Sequence, residues 1–191
     1  MRTQPPTSRR AFTLLEVLVT VAILGIAGAL VIPAMGETGI LKIQGAVRSV
    51  VADLTFAQAD AVAFQERRAV VFDVDNNVYR LVQVPGSTID VDVNTMYDPT
   101  KRDGRFIMSL GDRRFGGARL ASASFDNEPF VIFDALGGPV ADPSGALPGS
   151  GGTVRITGSG QTFTITVEPF TGRVTVDRAQ GEVAVVPNGN P

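Results

Sequence analysis

Glu16 is the residue whose type and position first require a chemical explanation. It is the sole charge in the 24 residues Phe12–Met35, FTLLEVLVTVAILGIAGALVIPAM, and a carboxylate so placed opposes transfer into hydrocarbon and calls for a positive partner. Arg9 and Arg10 stand just before Ala11 and Phe12, and Pro33 falls near the far end of the apolar run. Other groups promise less. The chain has no Cys and no His, which removes thiolate zinc sites, haem-histidine ligation, cysteine nucleophiles and histidine-based triads. The glycines form no Walker or dinucleotide pattern between a strand and a helix, and no catalytic residue is assigned. Asp73, Asp75, Asn76 and Asn77, and again Asp90, Asp92 and Asn94, gather hard oxygen ligands, but without EF-hand spacing. Asx-rich turns commonly satisfy their own backbone, so neither a metal nor a cofactor is assigned. Lys101, Arg102, Arg105, Arg113, Arg114 and Arg119 outnumber Asp103 and Asp112 in one segment, which reads as a solvated loop. The charge as a whole, 17 basic against 19 acidic residues, does not suggest a nucleic-acid partner, whose phosphates select clustered Lys and Arg.

The element that must carry Glu16 is a helix long enough to cross a bilayer. An unbroken helix over Phe12–Met35 reaches about 36 Å, against a hydrocarbon core of about 30 Å. Arg2, Arg9 and Arg10 precede it with no acid among them, which predicts a cytoplasmic N-terminus by the positive-inside rule. Without residues 1–11 the chain holds 14 basic and 19 acidic residues, Glu16 among them, and the part beyond the apolar run would lie on the other side. Two readings make this segment a discarded signal. One is a secretory signal with a small-residue site at Ala27-Gly28-Ala29, releasing a soluble product that begins at Leu30. The other takes Ser8-Arg9-Arg10-Ala11-Phe12 as resembling the twin-arginine export motif. Both leave Glu16 without a purpose.

A third reading supplies one. RRAFTLLEVLVTVAIL resembles the N-terminus of type IV prepilins and of the pseudopilins of type II secretion. In that family a basic leader is cut before a Phe, the new amino terminus is methylated, the fifth mature residue is Glu and the twenty-second is commonly Pro. The resemblance implies cleavage between Ala11 and Phe12, methylation of Phe12, and assembly roles for Glu16 and Pro33. Ala11 stands where the family usually has Gly, one small residue for another. The implied partners are a prepilin peptidase, other pilin or pseudopilin subunits, the inner membrane and, for the outer domain, secreted cargo. The implied location is the bacterial inner membrane, single-pass, with the globular part on the periplasmic side. The role of Glu16 then has a physical basis, since a carboxylate from one subunit can neutralise the Phe12 ammonium of its neighbour. At about 4 Å and an effective dielectric near 20, that attraction is about 4 kcal/mol before desolvation offsets much of it.

Beyond the apolar run, Pro33, Gly36 and Gly39 predict a kink or a melted turn. Ile40, Ile43, Val47, Val50, Leu54, Ala57, Ala61 and Phe64 then recur by threes and fours, the stripe of an amphipathic helix. Arg48, Asp53, Asp60 and Gln65 lie off it and are expected to face water. From Ala69 the period becomes two: Val70, Phe72 and Val74, a turn at Asp75-Asn76-Asn77, then Tyr79 and Leu81 predict a hairpin. Short strands are expected over Phe106–Leu110, Ala118–Ala121 and Phe130–Phe133, and a three-stranded meander over 154–176. Pro85–Gly104 and Ala135–Gly152 read as long surface loops. The expected fold class is α+β, a long N-terminal helix packed on an antiparallel β domain of two sheets. Its expected divisions are a leader at 1–11, a transmembrane and assembly helix at 12–35, an amphipathic helix at 36–67 and a globular β domain at 68–191.

The stretch LTFAQADAVAFQERRAVVFD, with the later FDALGGP and TVEPFTGRVTV, resembles the H-type minor pseudopilins of type II secretion and related minor pilins of type IV pili. That resemblance implies a non-enzymatic subunit near the tip of a short periplasmic filament that supports protein export. A minor pilin of a surface pilus, acting in adhesion or DNA uptake, shares every N-terminal feature.

Overall fold

The computed structural model describes residues 13–179, the side chains of 29–38 excepted. The chain divides into two units, Met1–Thr38 and Gly39–Pro191. Helix α1, Leu14–Phe64, contributes to both. The melted turn expected after Pro33 does not interrupt its backbone: a proline removes one bond of the ladder, and the bonds to either side can persist. Gly39 has a packing use instead, since a Cβ there would lie 2.7 Å from Ser159 Oγ.

In the first unit every large apolar side chain from Leu14 to Ile26 is exposed, Leu14 by 84% and Ile26 by 66%. Among the described residues no helix is long and apolar enough to cross a membrane; the side chains of 29–38, over which the apolar run continues, lie outside that description.

In the second unit the predicted stripe is realised. Ile43, Val47, Val50, Leu54, Ala57 and Ala61 are all buried, and Ala46 joins them. Phe64 departs from the expectation. It is 66% exposed, because the chain leaves the helix through Gln65 at φ 55°, and its ring sits 5.7 Å from the Arg68 guanidinium.

Among the described residues nine strands follow: β1 Arg67–Asp73, β2 Val78–Val84, β3 Ile107–Ser109, β4 Arg119–Phe125, β5 Phe130–Phe133, β6 Pro139–Val140, β7 Gly152–Gly158, β8 Gln161–Val167 and β9 Val174–Ala179. They form two antiparallel sheets, in the orders β3-β2-β1-β5-β6 and β4-β7-β8-β9. The class is therefore α+β, with the C-terminal half of α1 packed on a two-sheet antiparallel domain.

Alternation decides which side chains meet the helix. Val70 and Phe72 of β1, Tyr79 and Leu81 of β2, and Val131 and Phe133 of β5 join the helical stripe in one core. The second sheet adds Leu120, Val154, Ile156, Phe163, Ile165 and Val167 to it. Phe72 ties the sheets together, its ring centroid 5.8 Å from Tyr79 and 5.9 Å from Phe125. The opposite face of the first sheet is also buried. Ala69, Val82, Val84, Ile132 and Val140 form a second core there, roofed partly by Ile89 and Val91. This double coverage explains the unbroken apolar run of Phe130–Phe133.

Two loop expectations change accordingly. Ala135–Gly152 is no simple surface loop: it contains β6, and Val140 is buried. Pro85–Gly104 is an insertion, but it folds back on β2, where the Met96 N–H donates to the Leu81 carbonyl (2.8 Å) and Val82 bridges Thr95.

Candidate assembly site

The first helical turn positions Glu16. Thr13 caps it: its Oγ1 accepts the Glu16 N–H at 3.2 Å, and its carbonyl accepts the N–H groups of Glu16 (3.1 Å) and Val17 (3.2 Å). A hydroxyl residue three positions before a Glu is half of a capping box, a spacing that sequence reasoning passed over. The Glu16 side chain is exposed and lies in the first turn, where the N-terminal end of the helix dipole favours negative charge. Around it Leu14, Leu15, Val17, Leu18 and Val21 are exposed. A carboxylate in such a setting is held at the backbone end by the cap while its oxygens stay available to a cation from outside. Arg9, Arg10, Ala11 and Phe12 lie outside the described residues, as does the side chain of Pro33.

The second unit uses the flank of α1 that was expected to be wet. Asp53 accepts a 2.5 Å hydrogen bond from the hydroxyl of Tyr79, a residue with no exposed surface. Burial pushes the Asp53 carboxyl above the ordinary aspartate value, and the Tyr79 bond works against that shift. Burial, followed by the nearby Asp53 charge, pushes the Tyr79 phenol up, so it stays a donor. Two turns further, Asp60 receives the Arg68 Nε at 2.5 Å, with the two side chains only 11% and 3% exposed. Glu66 takes Arg68 Nη1 at 3.1 Å from a more open position. Between these pairs Gln58 Nε2 donates to the carbonyls of Gly137 (2.7 Å) and Thr171 (2.9 Å). The spacing of Asp53 and Asp60 by seven, one helix flank, was the signal available in the sequence; their partners were not.

The acidic turns satisfy their own backbone. Asp73 accepts from the Asn76 side-chain amide (2.8 Å) and backbone N–H (3.0 Å), and these bonds hold its carboxyl below the ordinary value. Asp90 accepts from the N–H groups of Asp92 and Val93. Among the described residues no acidic cluster is arranged to hold a metal. The basic segment is used locally as well: Arg105 donates to the carbonyls of Val91 (2.7 Å) and Asp92 (3.1 Å). Arg114 lies 4.5 Å from the Phe115 ring centroid and 3.5 Å from the Asp112 carboxylate.

Residues 6–32 match the family model described as the prokaryotic N-terminal methylation motif. The match is confined to this N-terminal stretch, which carries a methylation motif of the prokaryotic type. In fold it is similar to the minor pseudopilin EpsH from the type 2 secretion system of Vibrio cholerae, at 13% identity and a TM-score of 0.49, over 72% of this chain and 97% of that one. A likeness of that depth carries nothing about function. No curated protein matches the sequence.

Proposed function

We propose that the chain is a non-enzymatic minor pseudopilin-like subunit, cut between Ala11 and Phe12, methylated at Phe12 and assembled through its N-terminal helix to support protein export. The observation that carries this reading is the methylation motif over residues 6–32 coinciding with a helix whose apolar side chains are exposed on every side around the lone charge of Glu16. Such a surface needs lipid or the helices of other subunits to cover it. Arg9 and Arg10 hold the leader on the cytoplasmic side, the globular domain sits on the periplasmic side of the inner membrane, and Pro33 serves the assembly segment. The proposed divisions are leader 1–11, transmembrane and assembly helix 12–35, amphipathic helix 36–67 and β domain 68–191. The choice of a secretion pseudopilus over a surface pilus is supported by the resemblance of LTFAQADAVAFQERRAVVFD and TVEPFTGRVTV to H-type minor pseudopilins.

The test is the N-terminus of the protein recovered from membranes of a host with a prepilin peptidase, read by mass spectrometry. A methylated Phe12 start is expected. A soluble product starting at Leu30 would overturn the assignment.

A further inference from the structure

Near the C-terminal end of α1, two turns of the second unit hold apolar side chains out to solvent. Leu136, 88% exposed, tips the turn after β5, and Phe170, 76% exposed, tips the turn between β8 and β9. Both turns are fixed. Asp134 Oδ1 accepts the N–H groups of Leu136 and Gly138, each at 2.9 Å, and the Gln58 amide on α1 bridges the carbonyls of Gly137 and Thr171. The turns lie so close that a Cβ at Gly138 would stand 2.8 Å from the Phe170 carbonyl oxygen. Phe170 sits at φ 61°, and across it the Thr171 N–H donates to the Pro169 carbonyl at 2.6 Å, a γ-turn of the rare, strained kind. An aromatic ring kept outward at that cost, beside a second exposed apolar tip, points to a use outside the fold.

Two hollows of about 320 Å³ each open here, with Leu136, Asp134 and Gly145 lining both. One is otherwise apolar, walled by Phe170, Pro139 and Pro148. The other holds Glu66 and Arg67 beside Val84 and Pro85. Arg67 is the one cation lining either hollow, and among the described residues it makes no ion pair. Its Nη2 donates to the Gly86 carbonyl at 3.0 Å, and its Nε has no partner. The acids around it are already engaged: Glu66 by Arg68, Asp134 by the two backbone N–H groups, and Asp142 by the Ser144 N–H at 2.8 Å. The group left without a counterpart is therefore the Arg67 guanidinium, whose planar fork suits a carboxylate.

We propose that this surface docks an extended segment of another protein, with an apolar side chain in the hollow beside Phe170 and an acidic side chain, two positions along, on Arg67. Residues i and i+2 of an extended chain point to one side about 7 Å apart, which lets a single segment straddle Leu136. The sequence stretches FDALGGP and TVEPFTGRVTV, to which the assembly role gives no task, supply the two tips of this surface. The inference concerns the second unit alone and does not depend on the filament reading.

The test is a titration of the ¹⁵N-labelled full chain, in detergent, with two acetylated and amidated peptides, Gly-Leu-Ser-Glu-Gly and Gly-Glu-Ser-Leu-Gly, which cover both chain directions. With at least one of them, the amide resonances of Leu136, Gly145 and Phe170 should shift and saturate below about 10 mM, the weak affinity expected of so small a contact. Exchanging Glu for Gln in that peptide, or Arg67→Gln in the chain, should weaken binding about tenfold. Leu136→Ser, at a side chain too exposed to matter for folding, should weaken it about fivefold. The unshifted resonances of α1 and β8 report that each variant is folded. Shifts that fail to saturate with either peptide would overturn the proposal, as would an affinity left unchanged by any one of the three replacements.

Discussion

Asp60 and Arg68 show how a charge on a helix flank becomes structural. Their 2.5 Å contact is nearly closed to solvent, whereas Glu66, the second acid on Arg68, is 59% exposed. Removing one member of a buried pair strands the other, a loss of about 3–5 kcal/mol, whereas an exposed pair contributes about 0–1 kcal/mol. Asp60→Ala should therefore cost about 3 kcal/mol, toward the lower limit because Glu66 remains, and Glu66→Ala less than about 1 kcal/mol. Denaturant unfolding of the two variants checks this; equal losses would mean that Glu66 carries the pairing. Asp60→Leu combined with Arg68→Met should recover most of the loss, since an apolar replacement leaves no uncompensated charge.

Strands from distant parts of the chain are joined by few side chains, and Asn77 is the most telling. It sits at φ 57° in the turn between β1 and β2, donates from Nδ2 to the Ala118 carbonyl at 2.9 Å and accepts the Leu120 N–H at 2.7 Å. One amide thereby pins the hairpin of the first sheet to the start of β4 in the second. Asn77→Ala combines a left-handed backbone penalty of about 1–2 kcal/mol with unpaired polar groups worth about 1–3 kcal/mol, and a loss near 3 kcal/mol is expected. Asn77→Gly keeps the turn and loses only the bonds, so thermal unfolding should place it between Asn77→Ala and the parent. If the glycine variant matches the parent, the amide contributes nothing to joining the sheets. Close backbone approach at the other end of β4, where it pairs with β7, has its own requirement: a Cβ at Gly152 would lie 2.2 Å from the Ser124 carbonyl oxygen.

At the scale of the whole molecule, the proposed filament role is tested at Glu16. An exposed carboxylate capped at its backbone by Thr13 contributes little to the fold of one chain, and its removal eases insertion into hydrocarbon. Glu16→Ala should reach the membrane at the parent level, and its recovery in isolated filaments should fall by at least about tenfold, the equivalent of about 1.4 kcal/mol retained from the ammonium–carboxylate attraction after desolvation. Fractionation followed by quantification of the filament fraction measures both quantities. Normal incorporation would remove Glu16 from the assembly mechanism and leave it a cap partner.

What could be read from the residues alone was whatever repeats at short range or stands out against its surroundings. The stripe from Ile43 to Ala61, the hairpin around Asn76, the meander that ends in β9 and the lone charge at Glu16 all follow from local periodicity or contrast. Partners far along the chain could not be read in this way. Gln58 meets Thr171 across 113 positions, β4 pairs with β7 rather than with its neighbour in sequence, and the second core under Ile89 and Val91 appears only once the 85–104 segment folds back on β2. Periodicity reports which face of an element is apolar, but the surface that meets that face is chosen by the closure of long loops and by the burial of polar groups with specific partners. For that reason Asp53 and Asp60, which the sequence marks only as sharing one helix flank, turn out to be anchors of the helix on its sheets.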